Sequence, residues 1–524
     1  MAYDILIRGG MLFDGLGNTP VQADVGIRGD TIRDIGAFGG ASARMTIDAS
    51  GKYVTPGFVD ITNHSDTSLT LFGYPALESM LMQGVTTVIG GNCGASLAPL
   101  ASREALYGIR KWADPSTINT NWNSFEEYLN QIDGLKPGPN FGSFVGYGTL
   151  RRNVIGNDVR TLQPQELEQA RYLLAQAMDQ GAFGLSLGLS YGHERVSPTE
   201  EIISVASALR ARGGMVKMHL RSEGAGLIAS VNEAVRIGRE AGIPVHISHL
   251  KAIGRKTWDM LEKALELIEN ARASGVLIRF DVTPYATTGS SLYLLIPPSV
   301  RQAGFDDLFR RIDDPAERKK IIEEMKSSTL HPEKIFITSA KTKSIVGHTL
   351  ADIAAHTGLA PEEALLQTVR ANEGRVSIVG KTVSLKNVRV EIRNPASCIA
   401  SDGAGFPLLW QKSGDLVHPR SFGAFGRVWR KFVREDHALS EEQAIAKMTS
   451  APAQILGLAD RGVLRQGAAA DVLVFDPSAF ADQATYENPF RFPTGIMCVI
   501  VNGQIAVENG TYTGVRAGRA LRRV

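Results

Sequence analysis

Eight short apolar runs of β type, separated by amphipathic helical stretches, constrain this chain more than any other feature. They occupy 53–61, 86–90, 141–148, 182–188, 215–220, 244–250, 276–282 and 397–403. Strands that alternate with helices pair in parallel, because each crossover helix returns the chain to the same end of the sheet. Eight such units favour an α/β fold of the (β/α)8 TIM-like barrel type over an open sheet. The intervening segments PQELEQARYLLAQAMDQ, LIASVNEAVRIGREAG and TWDMLEKALELIENARASG carry apolar residues three and four apart, the spacing of a helix with one buried face. LIASVNEAVRIGREAG runs through a glycine turn, GIPVH, into the next strand, and GGMVK marks another such turn.

The two ends of the chain read differently. YDILIRGG, ADVGIRGD, TIRDIGAF and MTIDASGKYV are short strands with turn pairs between them, and ADVLVFDP and GIMCVIVNGQIAV form a similar set near the C-terminus. Neither set closes a core alone, so 1–55 and 455–524 are expected to build one small β-sandwich domain around a barrel at 56–454. At 524 residues the chain has room for one large core and a satellite. The interval 286–396 is too long for a single crossover and predicts a helical insertion after the seventh barrel strand, placed as a lid over the mouth.

With 44% hydrophobic residues, 21% charged residues and a net charge of +2, the chain reads as an ordinary globular protein with a small-molecule substrate and no nucleic-acid partner. The arginines Arg516, Arg519, Arg522 and Arg523 read as a solvated tail. Three cysteines, Cys93, Cys398 and Cys498, do not make a disulfide framework and point to a reducing compartment. A cytoplasmic protein without a leader or membrane span, with assembly into a homo-oligomer left open, is the expectation.

Barrel enzymes carry their chemistry just past the strand ends. Cys93 follows the second run, His219 ends the fifth, His249 ends the sixth and Asp402 ends the eighth. A buried cysteine is more often core, and a strand-end histidine is often ordinary. One thiolate, two imidazoles and a spare carboxylate on one rim nevertheless suit zinc with an open position. His246 lies an odd step from His249, which predicts that it faces the helix side. His193, His331, His348, His356 and His437 read as surface or lid residues, and His418 as either a pocket or a structural residue.

PGFVDITNHSD, QGVTTVIGGNCGASLAP, GAFGLSLGLSY, MHLRSEG, ISHLK, SDG, HPRSFGAF and GAAADVLVFDP, in this order, resemble the N-acyl-D-amino-acid deacylase (D-aminoacylase) branch of the amidohydrolase superfamily, end to end. The resemblance implies zinc held by Cys93, His219 and His249, with Asp402 as general acid and base. It also implies that Lys251, Arg420 and Tyr191 grip the substrate carboxylate. The superfamily's first strand normally ends in a His-x-His pair for a second metal; here Thr62 replaces its first member and His64 keeps the second. One tightly bound zinc is therefore expected, since a threonine hydroxyl is a poor zinc ligand. Thr283 stands where the branch commonly has tyrosine, leaving Tyr285 nearby for the substrate. Acidic-substrate members use an extra cation after the seventh strand, and TPYATTGSSLYLLIPPSV carries none before Arg301. The resemblance thus implies hydrolysis of an N-acyl amino acid, of D configuration and with a neutral or apolar side chain, to a carboxylate and a free amino acid. The alternatives are another amide, dipeptide-like or lactone substrate, or a weakened homologue acting as a binding protein.

Overall fold

The computed structural model describes residues 2–301, 303–326 and 330–523. Its centre is a (β/α)8 barrel. The strands are Phe58–Asp60, Val85–Gly90, Asn140–Ser143 continued by Val145–Gly146, Gly184–Gly188, Met215–His219, Val245–Ile247, Ile278–Val282 and Ser397–Ile399. All neighbouring pairs are parallel. The ring closes just beyond the last strand, where Asp402 N donates to Thr62 O at 2.9 Å and His64 N to Gly403 O at 2.8 Å. All but the second strand, Val85–Gly90, are shorter than their apolar runs. The run at 53–61 is divided between two sheets, because Tyr53–Pro56 pairs with strands of the terminal sheet and only Phe58–Asp60 enters the barrel.

The expected helices form at Pro164–Asp179, Leu227–Ala241 and Met260–Ala273. Leu227, Val231, Ala234 and Ala241 face the barrel, and Gly242 ends their helix at φ 65°, a left-handed closure that costs glycine little. Burying each large aliphatic side chain on such a face contributes about 1.5–3 kcal/mol.

Strands from both ends of the chain form one continuous nine-stranded sheet, in which Tyr53–Pro56 pairs with Val472–Phe475. Asn502 and Gly503, both at positive φ, turn Ile496–Val501 into Gln504–Glu508, as an Asn-Gly hairpin requires. Three of the four C-terminal arginines have fixed partners, including Arg523, which donates to Leu456 O at 3.0 Å, whereas Arg516 is exposed. Arg522 pairs with Asp133 at 3.0 Å and Arg519 with Asp30 at 2.7 Å, and Leu521 N donates to Phe141 O at 2.7 Å. Leu521 joins Val59, Phe144, Phe183, Met215 and Leu456 in one apolar cluster, so the tail helps fill the barrel floor.

After the seventh strand the chain builds a separate apolar core around Leu308, Ile312, Ile337, Leu365 and Val369. This insertion is not purely helical. Thr288–Ser291, Val376–Gly380 and Ile335–Ala340 form an antiparallel sheet with Val376–Gly380 in the middle. The sequence does not announce this sheet, because IFITSA and VSIVG are brief and lie among helices. The insertion also ends earlier than 396: Leu385–Arg393 packs against the seventh and eighth barrel strands as their crossover helix.

Candidate metal centre and active site

Residues just past the barrel strands converge on a cavity of about 610 Å3, walled on one side by His64, Cys93, His219, His249 and Asp402. The insertion supplies the opposite wall through Gly289, Ser290, Ile378 and Val379, so the edge of its sheet covers the site. A volume of this size suits a small organic molecule.

Cys93, His219 and His249 each bring one ligand atom within 4.8 Å of the others. Cys93 Sγ lies 3.5 Å from His249 Nε2, and Nδ1 of His219 is buried without a hydrogen-bond partner. One thiol, two ring nitrogens and an orphaned buried donor atom fit a zinc ion, which takes this mixture of sulfur and nitrogen in tetrahedral sites. Burial acts to raise the Cys93 thiol, but hydrogen bonds with His219, His249 and His64 outweigh it and hold the group well below its usual value, toward the thiolate that a metal needs.

The backbone is shaped for this convergence. Cys93, His249 and Asp402 all adopt left-handed conformations, at φ 53°, 38° and 53°, which non-glycine residues rarely visit outside functional or strained sites. The turn also depends on Gly94, where a Cβ would lie 1.9 Å from Glu194 Oε1. The left-handed residue explains His246 as well. The sixth strand stops at Ile247, so alternation does not extend to His249. His246 points into the barrel, where its Nε2 donates to Asp281 Oδ2 at 2.9 Å. His193 is likewise buried rather than at the surface, bonded through Nε2 to Gly156 O at 3.0 Å.

Asp402 faces the cavity between two partners. His64 Nε2 lies 3.1 Å from its Oδ1, and Arg420 Nη1 donates to Oδ2 at 2.5 Å. Burial acts to raise this carboxyl, yet Arg420, His249 and His64 hold it well below the usual carboxylate range. It is therefore an ionised acceptor at neutral pH. Lys251 reaches Glu223 Oε1 at 2.6 Å, and the same oxygen lies 3.1 Å from His249 Nδ1. Glu223 also comes within 3.7 Å of His219. It orients the His249 imidazole, as carboxylates behind metal-bound histidines do, while the His219 Nε2 pairs with Ser190 Oγ at 3.0 Å. Nothing along the chain singles Glu223 out within MHLRSEG; its one available signal is an acidic residue four positions after a ligand candidate.

Tyr191 lines the cavity, 5.5 Å from the His219 ring and under the Lys111 ammonium. Tyr285 does not line it. It sits in a narrow crevice beside Lys251 and Arg420, with its hydroxyl buried and without a partner. His418 lines the cavity and accepts the backbone N–H of Arg420 at 3.0 Å, positioning that arginine.

The sequence pattern of the amidohydrolase family matches residues 45–263 and 339–507. The chain belongs to the amidohydrolase family. An N-acyl-D-glutamate deacylase of Alcaligenes xylosoxydans xylosoxydans is 34% identical over 99% of this chain and 96% of its own length. A solved D-aminoacylase, described as having a binuclear metal centre with one-metal activation and second-metal attenuation, superposes with a TM-score of 0.85 at 31% identity, covering 99% of this chain and all of that one. N-acyl-D-glutamate deacylase from Bordetella bronchiseptica, solved with zinc and a phosphonate mimic of the tetrahedral intermediate, gives 0.84 at 30% identity, with full coverage of both chains. This amidohydrolase is accordingly a metal-dependent enzyme acting on amide C–N bonds.

Proposed function

We propose that this amidohydrolase uses one zinc ion to cleave the amide of an N-acyl amino acid of D configuration with a neutral or apolar side chain. The observation that carries the reading is the Cys93, His219 and His249 triangle on the same cavity wall as the ionised Asp402. Zinc, when bound there, polarises the amide carbonyl and makes water more acidic. Asp402 then accepts the proton of the attacking water on a carboxylate oxygen and returns it to the departing nitrogen.

Arg420 and Lys251 are the only arginine and lysine among the described residues that line the cavity. A planar guanidinium matches a carboxylate in two places, so both cations are assigned to the substrate's carboxylate. Arg420 is held by Asp402 in this structure. A substrate carboxylate competes for the same guanidinium, and drawing it away restores basicity to Asp402 as the substrate arrives. No further lysine or arginine among the described residues lines the cavity to receive an acidic side chain, and Arg301 instead donates to Ser190 O and Ile296 O. Trp112, Trp410, Leu294 and Val379 offer apolar surface, which supports a neutral or apolar side chain.

Release of free amine from matched N-acyl D- and L-amino acids tests the assignment; hydrolysis confined to L-substrates or to acidic side chains overturns it. Cys93→Ala is expected to lose the zinc and the activity together, which metal analysis of the folded variant reads directly. Arg420→Ala is expected to lower kcat/KM by about 10- to 100-fold, mostly through KM, as befits a lost charge-assisted contact. An unchanged KM would remove Arg420 from carboxylate recognition.

A further inference from the structure

Directly beneath the metal-ligand layer, the barrel axis holds a lysine. Lys217 precedes His219 by two residues on the fifth strand, so the two side chains share a face about 7 Å apart along the strand. Its Nζ donates to Thr62 Oγ1, to Asn92 Oδ1 at 2.9 Å and to Ser248 Oγ at 3.0 Å. Three acceptors use all three protons of an ammonium group. Asp281 supplies the countercharge at 3.5 Å and accepts the Thr62 hydroxyl at 2.6 Å. Lys217, Thr62, Asn92, Ser248 and Asp281 are all at most 1% exposed.

Thr62 occupies the position at which the superfamily's first-strand pair begins. The hydroxyl accepts from Lys217 and donates to Asp281; its one remaining lone pair is that of a poor zinc ligand, and it lies against a fixed positive charge. We propose that the Lys217 ammonium, locked by Thr62, takes the place of a second metal ion and makes this amidohydrolase strictly mononuclear. A divalent ion brought close to a buried ammonium meets like charge in a poorly screened interior, and Asp281, already ion-paired, is not free to ligate it. The inference rests on the single zinc of the proposed function, but it concerns a different layer of the barrel and different residues.

Zinc per folded chain, measured after equilibration with excess zinc and removal of free metal, tests it. The wild-type chain is expected to hold one equivalent however great the excess. Thr62→His combined with Lys217→Ala, which restores the histidine pair with His64 and removes the ammonium, is expected to hold two. Wild-type protein that takes up a second equivalent overturns the proposal. So does a folded double variant, with native near-ultraviolet dichroism, that remains at one. If the double variant does not fold, the wild-type titration alone decides. A wild-type chain that binds no zinc sinks the proposed function instead, a result separable from either outcome because Cys93→Ala then changes nothing.

Discussion

Asp402→Asn is expected to lower kcat by about 10²- to 10⁴-fold, the usual contribution of a positioned general base, while leaving the zinc content unchanged. Asparagine preserves the shape of the side chain and tolerates the left-handed backbone that residue 402 adopts at φ 53°. It cannot take a proton from water at neutral pH. Its amide also pairs poorly with Arg420, which is then freer for the substrate carboxylate, so KM is expected to stay constant or fall. Amine release and metal analysis on the same preparation separate loss of the base from loss of the ion. Full activity in the zinc-loaded variant would end the assignment of Asp402.

The second large effect is on stability. Asp281→Ala is expected to cost about 3–5 kcal/mol, the range for removing one partner of a buried ion pair, and denaturant unfolding measures it. Asp281 is fully buried; it accepts Thr62 and His246 on one oxygen and the backbone N–H of His249 at 2.7 Å on the other. Without it the Lys217 charge has no counterion. Burial acts to raise the Asp281 carboxyl, but Lys217, His246 and His249 outweigh it and hold the group far below its ordinary value. A depressed carboxylate contributes stability fully above its unfolded value of about 4 and loses it as the pH falls toward the folded value. The wild-type chain is therefore expected to lose this increment only below about pH 4. A variant no less stable than wild type at pH 7 would show that the network is structurally neutral.

Much of the barrel was legible because parallel strands buried on both faces appear as apolar runs, and crossover helices show their periodicity. Cys93, His219, His249 and Asp402 stand out because each lies at or just past the end of such a run. What escaped were features set by backbone conformation and by partners distant in sequence. Strand alternation misplaced His246 because it assumes extended backbone as far as His249, and a single left-handed residue breaks that assumption. Glu223 and Lys217 look like ordinary charges along the chain. Only the closed ring brings Lys217 to Thr62, 155 positions away. Arg519 and Arg522 read as solvated because Asp30 and Asp133, their partners, lie hundreds of residues upstream.

The left-handed geometry shared by positions 93, 249 and 402 has a bearing on how this rim can change. A β-branched side chain there carries a conformational penalty of about 1–2 kcal/mol before any chemistry is counted, whereas glycine and asparagine enter nearly free. A saturation library at the three sites would thus sort its members by torsion as well as by reactivity, and drift away from cysteine, histidine and aspartate is channelled through a few small or amide-bearing replacements.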